Sequence, residues 1–168
     1  NGAKTPAFAR VTLPDSASLS LWHRVDRRWE VLFDASWTGW KDFDELRIQR
    51  AADGATLSLT PERWDNVWRY SVGANYRHSD ALTLRAGAAL DRSPVPDATR
   101  TARIPDADRR WLAVGAQIRL SSASRLDLGY AHLFIDDAQI DETAFGTRLT
   151  GEYTGSADIL SAQLTLDL

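Results

Sequence analysis

Arginine and aspartate carry most of the chemistry available in this sequence. Asp34, Arg69, Arg77, Arg85, Asp91, Arg119 and Asp127 fall in segments where every other residue is apolar. Side chains two apart on an extended strand share a face, so these charges line one side of the sheet they build. A guanidinium there can hold a carboxylate through charge-assisted, often bidentate hydrogen bonds, and Arg69 and Arg85 are the two best placed to do so. The competing arrangement is an Arg–Asp ladder across neighbouring strands that only stiffens the sheet.

Other chemistries lack their parts. His23, His78 and His132 are far apart and fall on different strands, with no metal-ligand spacing. Serines and aspartates are plentiful, but none sits in a nucleophile-elbow context. No phosphate-binding glycine loop follows a strand and opens a helix. Cysteine is absent, which removes disulfides and thiolate metal sites. Lys+Arg 20 and Asp+Glu 23 are spread along the whole chain, leaving no basic face for nucleic acid. No catalytic residue, metal or cofactor is expected.

Two further groups could meet a ligand. Gly73, Gly87, Gly115 and Gly129 fall on the same side as the arginines, one on each of four successive strands. Glycine inside a strand marks close approach by a ligand or backbone, or a bend. The band either leaves room for a guest or relieves curvature. The stretch holding Pro94, Val95, Pro96, Ile104 and Pro105 is partly apolar and stiffened by proline. Its apolar residues, Val95 and Ile104, could form a first docking surface, or the loops could close on one another as a lid.

The elements that must position these residues are strands. Period-2 alternation predicts them at Ser16–Asp26, Trp29–Trp40, Val67–His78, Leu82–Asp91, Arg110–Leu120, Arg125–Ile135 and from Ser156 to the end. Short turns follow the first, third and fifth. Long connections, Lys41–Asn66, Arg92–Arg109 and Asp136–Gly155, follow the others. No apolar run approaches the ~20 residues of a membrane helix. Transmembrane strands need only alternation over about 10 residues, and outer-membrane barrels have short periplasmic turns and longer extracellular loops. Tryptophans and tyrosines near the strand ends suit membrane-interface girdles. With the long connections outside, the last strand ends in the periplasm and the first begins outside. Bacterial single-chain barrels have even strand numbers, and an open sheet edge in lipid leaves backbone groups unpaired. The seven strands therefore need partner strands, from a missing N-terminal half or a second copy.

Several blocks, in order, carry a family resemblance. They include Leu13-Pro14-Asp15-Ser16-Ala17-Ser18-Leu19-Ser20-Leu21, Trp37-Thr38-Gly39-Trp40, Trp68-Arg69-Tyr70-Ser71-Val72-Gly73, Thr83-Leu84-Arg85-Ala86-Gly87, Ile104-Pro105-Asp106-Ala107-Asp108-Arg109-Arg110-Trp111 and Leu126-Asp127-Leu128-Gly129-Tyr130-Ala131-His132-Leu133-Phe134. Together they resemble the C-terminal half of the outer-membrane long-chain fatty-acid and aromatic-hydrocarbon transporter family. The resemblance implies an all-β fold, an antiparallel transmembrane β-barrel segment giving seven strands of a fourteen-stranded barrel. It implies the bacterial outer membrane, with its lipid, as the setting. The implied role is part of a passive channel for a hydrophobic small molecule or fatty acid. A fatty-acid carboxylate would then be the partner of the lumen arginines, and the glycine band would admit an acyl chain or a plug. The alternative is a structural half-barrel that pairs with another chain and binds nothing itself. Leu168 departs from the terminal Phe common in such barrels.

Overall fold

Seven strands hydrogen-bond in one antiparallel sheet whose spatial order follows the chain, in a computed structural model that describes residues 4–144 and 146–167. The elements, in chain order, are β1 (Ala7–Ala9), β2 (Ser16–Arg24), β3 (Trp29–Thr38), β4 (Glu45–Arg50), β5 (Thr56–Pro61), β6 (Val67–Arg77), β7 (Leu82–Asp91), β8 (Arg109–Arg119), β9 (Ser124–Ala144) and β10 (Thr147–Leu166). The large sheet runs β10-β9-β8-β7-β6-β3-β2, and β1-β4-β5 form a small one. Tight turns join β2 to β3, β6 to β7 and β8 to β9. In the first, Asp26 Oδ1 accepts the backbone N–H groups of Arg28 (2.6 Å) and Trp29 (2.8 Å), an Asx turn that reverses the chain without glycine.

The register assigns every side chain to a face. Ser36, Arg69, Asp91 and Arg109 are cross-strand partners in succession, as are Asn75, Arg85, Gly115 and Gly129. All the expected charges and all four glycines share this polar face. The opposite face carries Val72, Leu112 and Val114, which are 57%, 54% and 59% exposed. On β8 the polar-face residues Arg109, Trp111 and Ala113 are the more sheltered ones. A water-soluble fold hides its apolar face. This sheet shows it outward, as a membrane wall must.

The buried apolar core lies at one end of the wall, where Leu133 pairs with Trp111, and beyond it. Val95, Ala107, Leu133, Ala138 and Ile140 are its buried members among the described residues. There the structure departs from expectation in two connections. Residues 41–66 are not a plain loop: they hold the hairpin β4–β5, turned at Asp53-Gly54, with Gly54 at φ +73°. Left-handed backbone is where glycine carries no steric penalty. Residues 136–155 are strand almost throughout, since β9 and β10 continue past the wall as a twisted ribbon, with one register shift between Tyr153 and Gly155. Beyond the membrane such a ribbon need not alternate apolar and polar residues, so the period-2 signal fades while the hydrogen bonding continues. β1, three residues paired to β4, adds a strand that alternation did not predict. Leu168 lies outside the described residues.

Candidate functional site

The arginines on the polar face divide into paired and free. Arg85 Nη1 reaches Asp127 Oδ1 at 2.8 Å, and Gln117 Nε2 donates to the same oxygen at 2.9 Å. The ladder arrangement therefore describes Arg85, whose charge is already matched. Arg69 differs: among the described residues no carboxylate lies within ion-pair distance of it. Asp91, its direct cross-strand partner, is met instead by Arg109 at 3.6 Å, and Asp34, one strand away on the same face, accepts the hydroxyls of Ser20 (2.6 Å) and Ser36 (2.9 Å). The Arg69 guanidinium lies over Trp111 at 5.4 Å from the ring centroid, a cation–π contact that fixes its position and leaves its N–H groups available. Trp111 Nε1 is itself buried with no hydrogen-bond partner among the described residues. An orphaned buried donor costs free energy, and here it stands beside an uncommitted cation. Together they present unsatisfied donors, the chemical complement of an anionic acceptor.

The glycines make a trough. Gly73 faces Gly87 across β6 and β7, and Gly115 faces Gly129 across β8 and β9. A hollow of 450 Å³ runs past Gly87, Gly115 and Gly129, with Arg85 and Asp127 at its rim. A Cβ added at Gly115 would stand 3.0 Å from the Leu128 carbonyl oxygen, and one at Gly87 3.2 Å from that of Val72. Close backbone approach therefore accounts for glycine at these two positions, and the hollow is its by-product.

Above the wall, the connections fold into a cap. Val95 is only 5% exposed. The expectation that it offers a docking surface is corrected: its side chain is spent on packing the cap. Ile104, at 39%, remains displayed. Arg100 is the clasp. Its Nε donates to Asp106 O (2.9 Å), its Nη1 to Gln139 O (3.1 Å) and its Nη2 to Val95 O (3.4 Å), and Nη1 meets Asp97 at 2.6 Å. Replacing it (Arg100→Ala) leaves buried carbonyls without donors, at about 1–3 kcal/mol each. The expected result is tryptic cleavage within 92–109 at least ~10-fold faster with the thermal midpoint of the wall unchanged, followed by timed digestion and circular dichroism. Glu62 is also buried (2% exposed). Burial pushes its carboxyl up, and the hydrogen bond from Trp64 Nε1 (3.0 Å) works against that rise.

A crevice of 740 Å³ opens between Leu57–Pro61 of β5, residues 98–103, and the upper arm of β9 at Asp141–Thr143. Thr101 Oγ1 is buried without a hydrogen-bond partner among the described residues. An apolar hollow of 620 Å³, framed by Tyr70, Val72, Leu90, Leu112 and Phe134 over Ala88, lies on the apolar face. It opens toward lipid. The sequence reading missed Trp111 as a site residue and Arg100 as a clasp. The position of Trp111, two residues along β8 from Arg109, could have placed it on the polar face; nothing in the sequence marks Arg100.

The comparisons with known proteins agree with this geometry. A family model described as outer membrane protein transport protein (OMPP1/FadL/TodX) matches residues 1–168. A crystal structure of a Pseudomonas aeruginosa FadL homologue is 33% identical with a TM-score of 0.88, covering 96% of this chain and 37% of that one. The long-chain fatty acid transport protein of Escherichia coli K12 is 30% identical over 84% of this chain and 31% of its own length. The 47 kDa outer membrane protein of Pasteurella multocida is 36% identical over 79% and 30%. The chain spans about a third of the length of the curated relatives it matches.

Proposed function

This chain belongs to the outer membrane protein transport family (OMPP1/FadL/TodX), and from that premise we propose that it supplies one lumen wall and part of the outer cap of a channel for passive uptake of hydrophobic carboxylates such as long-chain fatty acids. The family sets the broader frame: an outer-membrane transport protein, a β-barrel, and no enzyme. The observation that carries the finer reading is Arg69, held over Trp111 on the lumen face with no carboxylate within 4.0 Å among the described residues. A purely hydrocarbon guest gives no reason to keep it there.

The test is saturable binding of dodecanoate to the complete protein carrying this chain, purified in detergent. Absence of saturable binding sinks the reading. Orientation is tested separately. Ala98 lies in the cap and Ser122 in a short turn, and both are exposed. With the cap outside, a membrane-impermeant thiol reagent added to intact cells labels Ala98→Cys and spares Ser122→Cys; the reverse pattern inverts the wall.

A second reading has its own support. β2 and β10 are the outer strands of the large sheet, each paired on one side only. In lipid, such edges need partners, which the rest of a longer polypeptide or a second copy would supply. Pairing and transport are compatible, and only the absence of ligand binding would leave pairing as the sole role.

A further inference from the structure

The crevice in the cap follows the edge of a strand. Five consecutive residues of β5, Leu57 to Pro61, line it. Side chains on a strand alternate between its faces, so a hollow lying on one face would meet every second residue. Contact with all five places the hollow alongside the strand. β4 occupies the other side, and β5 has no second partner among the described residues. The opposite wall repeats the pattern. Asp141, Glu142 and Thr143 are consecutive in β9, and past Ile135 that strand pairs with β10 alone among the described residues. The crevice thus separates two strand edges that each lack a partner.

Residues 98–103 tie the two edges to one another. Arg103 Nη2 donates to Thr60 Oγ1 on β5 (3.1 Å), and the Ala102 N–H donates to Glu142 Oε2 on β9 (2.8 Å). Beside these struts Thr101 is 6% exposed, and its Oγ1 is buried with no hydrogen-bond partner among the described residues. The guest that fits must offer donors and acceptors at the spacing of a strand. Alternate backbone groups of β5 point away from β4, and an extended polypeptide meets such a row along its whole length. A fatty acid has one polar end and leaves the row unmet. An open edge is also a template for aggregation, and native proteins cover it.

We propose that the crevice seats an extended segment of the same longer polypeptide, from the part outside residues 1–168, as a further strand on β5. The chain spans about a third of the curated relatives it matches, so such a polypeptide has the length to provide one. The walls of the crevice come from all three long connections, and the other long connections of a closed barrel emerge on the same side. A tethered segment is present at high effective concentration and needs no outside supply. The seat fastens the cap to the remainder of the protein by a joint separate from the edges at β2 and β10. It concerns the cap alone and is independent of what the lumen carries.

The experiment places a photoreactive benzophenone amino acid at Leu59, which is 48% exposed and tolerates the exchange, in the complete protein. Intact cells are irradiated and the adducts mapped by mass spectrometry. The expected product is a single polypeptide in which position 59 is joined to a peptide outside residues 1–168. An adduct to a second polypeptide, adducts confined to this cap, or no adduct overturns the proposal. Hydrogen exchange on the purified complete protein tests the pairing itself. Every amide from Leu57 to Thr60 is expected to exchange at least ~100-fold more slowly than free chain. Free-chain rates at alternate amides mean an open edge and overturn the seat. Thr101→Val then tests the hydroxyl. If the segment bonds to it, exchange along β5 quickens about 5-fold; unchanged or slower exchange marks an orphaned hydroxyl with no segment beside it.

Discussion

Arg69→Gln lowers the affinity of the complete protein for dodecanoate by about 10- to 100-fold, the range that corresponds to losing a hydrogen bond to a charged group worth about 1.5–3 kcal/mol. The expectation follows from what surrounds the guanidinium. Trp111 holds it from one side at 5.4 Å, Ser20 and Ser36 have already satisfied Asp34, and Arg109 reaches Asp91, the residue directly opposite, at 3.6 Å. Its removal therefore leaves no carboxylate stranded in the protein, and the loss appears in binding instead of stability. Arg85→Gln provides the contrast, because that guanidinium is committed to Asp127. Its removal leaves dodecanoate affinity within about 3-fold of native, since the pair is half-exposed and worth about 0–1 kcal/mol. Isothermal titration with dodecanoate and 1-dodecanol separates the cases. Equal weakening for both compounds in Arg69→Gln, or equal weakening by both substitutions, removes the assignment of Arg69 as the carboxylate reader.

A cation on the apolar face has the other large effect. Val114 sits in the middle of β8, 59% exposed, with Ala86 and Tyr130 as its cross-strand partners. Val114→Arg costs about 2–4 kcal/mol if that face meets the middle of a bilayer. The next residue, Ala113, points to the lumen between Gly87 and Ala131. Arginine at position 113 is hosted by a wet, already charged interior and costs less than about 1 kcal/mol. Denaturant midpoints of the complete protein in lipid vesicles give both values. A larger penalty at 113 than at 114 exchanges inside for outside and takes the lumen site with it.

Alternation made the wall legible. β7 occupies Leu82–Asp91, where it was expected, and the other wall strands differ from expectation mainly at their ends. A sheet with lipid on one side and water on the other repeats its two solvents at every second residue, so sequence and register carry the same signal. Past the membrane that signal loses its cause. Along the ribbon a weaker alternation persists, with Arg148, Thr150 and Glu152 against Leu149, Gly151 and Tyr153 in β10, but all six are exposed and neither face is set apart by burial. Hydrogen bonding to β9 alone keeps them in register. The β4–β5 hairpin was more readable than expected: Leu46 and Ile48, then Asp53-Gly54, then Leu57 and Leu59 trace two short strands around a turn. The face of Arg69 could be read from the chain, but its freedom from Asp34 could not. That depends on Ser20, which lies 14 residues before Asp34 and becomes its neighbour only through the β2–β3 pairing. Val95 was misjudged for a related reason. Arg100, five residues on, ties its carbonyl to that of Gln139 in β9, a partner 39 residues beyond Arg100 that the local sequence does not announce.

The location of the buried core has a consequence for how freely the sequence can drift. Lipid has no fixed shape, so positions such as Val72, Leu112 and Val114 are asked only to be apolar. Exchanges among valine, leucine and isoleucine there should be nearly neutral. Val95, Leu133, Ala138 and Ile140 press against protein on every side, where a change of volume is felt. The usual order is thus reversed in this molecule. The membrane wall tolerates spelling changes, while the cap and the end of the wall beneath it hold the positions that must keep their size.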